Sequence, residues 1–301
     1  MSIGHCMRFE KAIGMGEDNT ARTLDERTDA AACARPFVKW AGGKHQLLTE
    51  IRKHVPGDFS RYWEPFVGGG AVFFNLVPGA ATLVDANEEL VNAYRVVQED
   101  VETLIGELEK HAHNEETFYS LREWDRLPSF EQRSAVERAA RFIYLNKTCF
   151  NGLYRVNSKG QFNVPFGRYH NPTIADRVNL TLCSKALRGV EVECGSFLDI
   201  ETRVASNDFV YFDPPYIPLT STSSFTSYTA DRFTIDMQTA LRDLCVRLDS
   251  AGVKWLLSNS SSFIIRELYS GYRITSVKAQ RAINAHANKR GVVEEVLIRN
   301  F

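Results

Sequence analysis

No stretch of the chain strings together the roughly eighteen apolar residues that a membrane-spanning helix needs, so no helix of it is expected to cross a bilayer. Paired cysteines are missing as well. The six present (Cys6, Cys33, Cys149, Cys183, Cys194 and Cys245) include no C-x-x-C pair and no histidine spacing that suits zinc. They read as reduced thiols of a cytosolic protein, with neither a disulfide scaffold nor a metal site. Charge of one sign is also lacking: the formal net charge is -1, so a polyanionic partner is not announced by the whole molecule and any basic surface must be local. Lys39-Trp40-Ala41-Gly42-Gly43-Lys44 lacks the G-x-x-x-x-G-K-[ST] spacing and is followed by His45, which argues against a phosphate loop. Residues 1–34 have neither an apolar signal core nor an acid-poor transit composition, and they read as a disordered extension or a mis-assigned start. Internal repeats and low-complexity tracts are absent.

What is present suffices for one substantial core: 301 residues, 44% of them hydrophobic. From Pro36 the chain turns apolar and aromatic, and the glycine turn Ala41-Gly42-Gly43-Lys44 leads into helical spacing over residues 46–51. Tyr62-Trp63-Glu64-Pro65-Phe66-Val67 reads as a strand, Gly68-Gly69-Gly70 as a tight turn, and Ala71 to Leu76 as a helix start. Ala81-Thr82-Leu83-Val84-Asp85 is a second buried strand ending in a carboxylate. Strand, glycine turn, helix, strand and acid together are the grammar of a doubly wound α/β nucleotide-binding sheet.

Residues from Asn87 to about Glu137 are helix-rich and charged. Over residues 141–190, Arg141, Lys147, Arg155, Lys159, Arg168, Arg177, Lys185 and Arg188 face one acid, Asp176, which makes this the local basic region. Strand character returns at Val190-Glu191-Val192, Phe209-Val210-Tyr211-Phe212, Lys254-Trp255-Leu256-Leu257-Ser258 and Glu294-Glu295-Val296-Leu297-Ile298. The expected organisation is a sheet domain over residues 35–90 and 190–301, with an insert over 91–189 that is mainly helical.

Phe209 to Phe212 has the composition of a central parallel strand, and Asp213-Pro214-Pro215-Tyr216 stops it. Open sheets place ligands at such strand ends. There the Asp213 carboxylate and the Pro214 carbonyl can accept hydrogen bonds from an exocyclic amine, and the Tyr216 ring offers a stacking face. The alternative is a loop whose aspartate caps a helix. The glycines at Gly68 and Gly70 fit a dinucleotide, a phosphate or an adenosyl group, or merely a turn. Asp85 fits either a ribose-hydroxyl acceptor or an ordinary turn aspartate. Asn151-Gly152 is a hairpin turn signal with Arg155 just beyond it. A hairpin of this kind can carry Arg155 to guanine in a major groove while Leu153 and Pro165 touch a thymine methyl. Asn157, Asn163 and Arg168 are candidates for phosphate contacts, with Asn151 and Tyr169 beside them.

These strings, in this order, resemble the Dam family of DNA adenine-N6 methyltransferases: F-V-K-W-A-G-G-K at 37–44, E-P-F-V-G-G-G at 64–70, L-N-K-T-C-F-N-G-L at 145–153, F-N-V-P-F-G-R-Y at 162–169, then D-P-P-Y with Phe225, Thr226, Tyr228 and Phe233. The resemblance covers the chain from about Pro36 to Phe301. It implies a Rossmann-like S-adenosylmethionine-dependent methyltransferase sheet with an inserted DNA-recognition domain carrying a β-hairpin. It also implies double-stranded DNA as partner, GATC as the target, and a monomer acting in a bacterial or phage-infected cytoplasm. Carried over, the cofactor contacts fall on Trp40, Lys44, Phe66, Asp85, Phe197 and Asp213, with the glycine turn, and the base pocket on Asp213, Pro214 and Tyr216. Lys39 would approach bases, Leu153, Arg155 and Pro165 would read the site, and Phe150 would wedge into the duplex where the family usually has tyrosine. The triplet Lys147-Thr148-Cys149 and the alanine-rich residues 281–291 depart from the family pattern. Competing readings are a related amino-methyltransferase, a catalytically silent GATC-binding module, and a nicotinamide oxidoreductase; Asp213 at the head of the tetrad argues against the first, intact cofactor residues against the second, and the basic insert against the third.

Overall fold

A computed structural model describes residues 34–216, 233–280 and 292–301. The expected extension over residues 1–34, apart from Ala34, and the strings at Phe225, Thr226, Tyr228 and 281–291 lie outside them. The strands are β1 (Tyr62–Glu64), β2 (Ala81–Asp85), β3 (Glu191–Cys194), β4 (Phe209–Phe212), β5 (Lys254–Ser260), β6 (Arg273–Gln280) and β7 (Val292–Arg299). They form one sheet in the order β3-β2-β1-β4-β5-β7-β6. The first five run parallel, and β7 lies antiparallel between β5 and β6. The strand order reverses between β1 and β4, and doubly wound sheets bind ligands outside the carboxyl ends at that point.

Strand residues alternate between two hydrophobic clusters, as a period of two requires. Tyr62, Leu83, Phe209, Tyr211, Leu256 and Leu297 face one side. Trp63, Val84, Val210, Phe212, Leu257, Val296 and Ile298 face the other. Each fully buried Val or Phe here contributes roughly 1.5–3 kcal/mol, and the one polar side-chain group of β4, the Tyr211 hydroxyl, is hydrogen-bonded to Ser258.

The helices are α1 (Leu48–Arg52), α2 (Ala71–Leu76), α3 (Glu88–Glu99), α4 (Val101–Glu109), α5 (Glu115–Glu123), α6 (Ala135–Thr148), α7 (Arg177–Leu187), α8 (Ile235–Ser250) and α9 (Phe263–Leu268). Local signals set their starts. Asn87 accepts from the Leu90 amide ahead of α3, Ser134 and Glu137 form a capping box on α6, and Asp176 caps α7 by accepting from the Asn179 amide. The single acid of the basic region is therefore spent on a helix end. Helices α8 and α9 cover one face of the sheet, while α2, α3 and the helices α4 to α7 cover the other in one continuous cluster. No helix among the described residues is long and apolar enough to cross a membrane.

Two expectations change. The first strand ends at Glu64 rather than Val67, because Pro65 has no amide to continue the ladder. Strand β6 is additional: Arg273-Ile274-Thr275-Ser276-Val277-Lys278 sits at the sheet edge, where solvent permits polar residues and hides the apolar signature.

Candidate active site

Strand β4 delivers Asp213 to the carboxyl end of the sheet beside β5, whose register pairs Phe212 with Leu257. The next β5 residue, Ser258, donates its hydroxyl to Asp213 Oδ1 at 2.8 Å. Lys44 Nζ reaches the same oxygen, also at 2.8 Å, and donates to the Gly42 carbonyl at 2.6 Å. That ammonium is buried and lies 4.8 Å from the centroid of the Tyr216 ring. Burial pushes the Asp213 carboxyl above the ordinary aspartate range, and the charge and hydrogen bond of Lys44, with the bond from Ser258, pull it back. The Tyr216 hydroxyl donates to Glu295 Oε2 at 2.7 Å, which fixes the ring. Gln238 of α8 donates to the Pro215 carbonyl at 3.1 Å and is itself held by Asn259 at 3.1 Å. Among the described residues no donor meets the Pro214 carbonyl, so it is available as an acceptor. Asp213, Pro215 and Tyr216 of the D-P-P-Y loop are thus each tied to a strand or helix of the sheet domain.

The glycine turn lies next to it. Gly68 has φ +47°, and a Cβ there would stand 2.5 Å from the Trp40 ring, so the turn depends on the missing side chain. Asp85, at the end of β2, accepts the Gly68 amide at 3.0 Å on one oxygen and the Asn87 amide at 2.9 Å on the other. Burial pushes the Asp85 carboxyl up while these amides draw it down, and each oxygen keeps acceptor capacity. Phe66 and Phe197 stack with centroids 5.3 Å apart, and Phe233 closes edge-on to Phe66 at 5.6 Å. Acid, glycine turn and aromatic slot together suit a nucleoside carrying a ribose. Gly70, with φ +69°, caps α2.

The basic insert is built differently from expectation. Its hairpin arms pair through Cys149 with Phe166 and Val156 with Phe162, and the chain reverses at Asn157, whose carbonyl accepts from Gly160 N at 3.0 Å. Asn151-Gly152, both at positive φ, is a kink within one arm rather than the reversing turn. The left-handed preference of that pair was legible; its place in the hairpin was not. Asn146, fully buried at the end of α6, brackets the kink: it accepts from Lys39 N at 2.8 Å and donates to Lys39 O at 2.8 Å and to Gly152 O at 3.3 Å. Tyr154 stacks on Trp40 at 5.7 Å, so the hairpin abuts the glycine turn through one ring.

The polar side chains of the hairpin bind one another. Arg155 Nε donates to Asn163 Oδ1 at 2.7 Å, and Asn157 Oδ1 accepts from the Lys159 and Gln161 amides. Lys39 Nζ lies 4.5 Å from the centroid of Tyr169. The Phe150 amide donates to Pro165 O at 2.9 Å, and the Phe150 ring is 52% exposed. Leu153 is half-buried, and Pro165 and Arg168 are exposed. The basic region is narrower than its composition suggests. Arg141 is buried against Asp125 at 2.7 Å, Arg177 pairs with Glu102 and Glu109, and burial pushes the Lys147 ammonium down. Among the described residues no ion pair engages Lys39, Arg155, Lys159, Arg168, Lys185 or Arg188, and the first four lie on or beside the hairpin.

A family model described as D12 class N6 adenine-specific DNA methyltransferase matches residues 40–283. The chain is 45% identical over 271 residues to the type II methyltransferase M1.LlaDCHI of Lactococcus lactis subsp. cremoris, covering 89% of this chain and 95% of that one. It is 44% identical over 287 residues to the type II methyltransferase M.MjaIII of Methanocaldococcus jannaschii, covering 89% and 99%. The DNA adenine methylase of Escherichia coli K12 is 34% identical over 267 residues, covering 87% and 94%.

The chain belongs to the D12 class of N6 adenine-specific DNA methyltransferases.

Adenine-specific DNA methyltransferase activity and a DNA substrate follow from that membership, and the family implies S-adenosylmethionine as methyl donor. In this D12 methyltransferase the sequence-expected residues fall into two groups. Lys44, Asp213, Pro214 and Tyr216 meet at the end of β4, with Trp40, Phe66, Gly68, Asp85 and Phe197 in the adjoining cradle; Arg155, Asn157, Asn163, Phe150 and Arg168 lie out on the hairpin. Sequence reasoning missed Ser258, Glu295, Gln238 and Asn146, and also Glu64, which is buried, accepts from the Tyr62 hydroxyl at 2.8 Å, and is pushed by burial to a pKa of about 8. The available signal was polarity where the pattern is apolar: an acid inside Tyr62-Trp63-Glu64-Pro65-Phe66, and Ser258-Asn259-Ser260 closing a hydrophobic strand.

Proposed function

We propose that this methyltransferase moves the methyl group of S-adenosylmethionine to N6 of an adenine rotated out of duplex DNA within GATC, releasing S-adenosylhomocysteine and N6-methyladenine. The observation that carries the reading is the junction of the Asp213 carboxylate, the Pro214 carbonyl, which has no donor among the described residues, and the Tyr216 ring beside the glycine-turn cradle. The cradle fits the donor: Asp85 retains acceptor capacity for two ribose hydroxyls, Phe66, Phe197 and Phe233 offer an aromatic slot, and Gly68 leaves backbone where a side chain would intrude. When bound, S-adenosylmethionine supplies an electrophilic methyl on a sulfonium whose sulfur departs as a neutral thioether.

The protein's part is to prepare the amine. Adenine N6 is a weak nucleophile because its lone pair is delocalised into the ring. With one amine hydrogen on Asp213 and the other on the Pro214 carbonyl, the lone pair is drawn out of conjugation and aimed at the methyl carbon. Tyr216 holds the base by stacking, and Glu295 holds Tyr216. As the N–C bond forms the nitrogen becomes cationic, and the surplus proton passes to Asp213 and then to water. In the structure the Lys44 ammonium sits on both Asp213 and the Tyr216 face, the two surfaces the base would use, so base entry requires that side chain to yield.

Target reading is assigned to the hairpin. Arg155 suits bidentate contact with guanine, and Leu153 and Pro165 suit a thymine methyl. The exposed Phe150 suits insertion beside the displaced base. Plasmid DNA incubated with the protein and S-adenosylmethionine, then digested with nucleases that sense adenine methylation, should be altered at GATC. Methylation confined to another sequence would remove the target and keep the chemistry; methyl incorporation at cytosine, or none, would remove the chemistry.

A further inference from the structure

We infer that Ser258 is a positioning residue for methyl transfer: it pins one oxygen of the Asp213 carboxylate and leaves the other oxygen facing the target amine. The inference rests on the reading of Asp213 as the amine acceptor.

Strand β5 arrives at this point through Trp255, Leu256 and Leu257, all fully buried, and Ser258 is fully buried as well. A hydroxyl in that position costs stability unless bonded, so its partners define its purpose. Its Oγ lies 2.8 Å from Asp213 Oδ1, 3.0 Å from Tyr211 Oη and 3.5 Å from the Phe212 carbonyl. A serine has one proton to give. The short contact to a carboxylate takes it, which leaves the Tyr211 hydroxyl as the donor to Ser258. Burial pushes the Tyr211 phenol far above the ordinary range, so it keeps a proton to give to Ser258. The result is a directed chain, Tyr211 to Ser258 to Asp213, running from the middle of β4 across to β5 and back to the end of β4.

The second donor makes the carboxylate asymmetric. Lys44 Nζ also lands on Oδ1, at 2.8 Å. Two donors therefore occupy Oδ1, while among the described residues none is bonded to Oδ2. Lys44 sits where the base must come and is the member that moves; Ser258 belongs to the sheet and stays. Once Lys44 yields, Ser258 is the contact that keeps the carboxylate plane from turning and carrying the acceptor oxygen off the amine. A rotation of that kind displaces the acceptor by about an ångström, the scale at which transfer rates fall by about 100-fold.

The test is single-turnover methyl transfer by Ser258→Ala, Ser258→Thr, Tyr211→Phe and Asp213→Ala, with pH profiles. Ser258→Ala should lose about 10- to 100-fold in rate. Its acid limb should move to higher pH, because the lost bond favoured ionised Asp213. Affinities for S-adenosylmethionine and for DNA should stay within about two-fold. Fluorescence of duplexes carrying 2-aminopurine at the target position should be unaffected, since that base lacks the 6-amino group and reports extrusion without the Asp213 contact. Ser258→Thr should restore the rate, and Tyr211→Phe should show a smaller loss with the same direction of pH shift, which keeps the inference testable if Ser258→Ala folds poorly. A wild-type rate and pH profile for Ser258→Ala, beside an inactive Asp213→Ala, would overturn the inference alone. An active Asp213→Ala would overturn the amine-acceptor reading and the inference with it.

Discussion

The end of β4 and the hairpin of the basic insert carry polar groups of similar kinds, yet they hold them in opposite ways. At the D-P-P-Y loop three residues are fastened to a strand or helix of the sheet domain: Asp213 to β5 through Ser258, Tyr216 to β7 through Glu295, and Pro215 to α8 through Gln238. On the hairpin, Arg155 and Asn163 hold each other, Asn157 holds its own turn, and Phe150 and Arg168 face solvent. The proposed chemistry, which depends on sub-ångström placement, has a buried frame; the proposed reading of a duplex would use side chains whose partners can be exchanged for bases and phosphates. The two regions touch through Trp40, which stacks on Tyr154 and covers Gly68, and through Asn146, which fastens Lys39 to the hairpin kink.

Damage to the frame should therefore be severe and damage to the hairpin graded. The largest effect after loss of Asp213 itself is expected from Gly68→Ala. Its added methyl meets the Trp40 ring at 2.5 Å in a left-handed backbone, so affinity for S-adenosylmethionine should fall by at least about ten-fold in calorimetry while non-specific DNA binding persists. Unchanged cofactor affinity would mean that the turn is not the cradle. Arg155→Ala should relax discrimination at one G·C pair by about 1–3 kcal/mol, measured as relative kcat/KM on substituted duplexes. Equal loss on every sequence would make Arg155 a phosphate contact instead.

The buried Glu64 gives a pH-dependent comparison within the frame. Its carboxyl is held up to about 8 from an ordinary 4.5, so the folded state keeps a proton that the unfolded chain releases between those values. This group's contribution to stability is therefore full below about 4.5, declines as pH rises through that window, and is constant above about 8. Melting temperatures of Glu64→Gln should lack that share of the decline and gain on the wild type toward pH 8; parallel curves for the two proteins would show that Glu64 is ionised in the fold. The smallest effect is expected for Phe150→Tyr. An exposed ring that stacks should tolerate a hydroxyl, so 2-aminopurine fluorescence at the target should change less than two-fold, roughly, whereas Phe150→Ala should reduce it clearly.

Much of this architecture can be read from residue order because it depends on near neighbours. Helix α2 and strands β2 and β4 begin and end where glycine, acid and proline say they must. Asp213 could be placed at a strand end because an apolar run stops at two prolines. What was not legible depends on pairing across the chain. Nothing around Ser258 announces that β5 lies beside β4, and nothing local tells Arg141, buried on Asp125, from the exposed Arg168. Asn151-Gly152 carries the left-handed preference of a turn, but only the bridges from Cys149 to Phe166 and from Val156 to Phe162 reveal that it interrupts an arm. Edge strand β6 escaped for a related reason: its polar alternation is satisfied by solvent on one side, which an apolar pattern cannot register.

The central claim is that Asp213 holds the adenine amine against the methyl donor. Single-turnover transfer of labelled methyl from S-adenosylmethionine to a duplex with one GATC site, compared between wild type and Asp213→Ala under conditions that saturate both substrates, tests it most directly. The account predicts a loss of at least about 100-fold in Asp213→Ala with binding of both substrates retained; a rate near that of the wild type would contradict it.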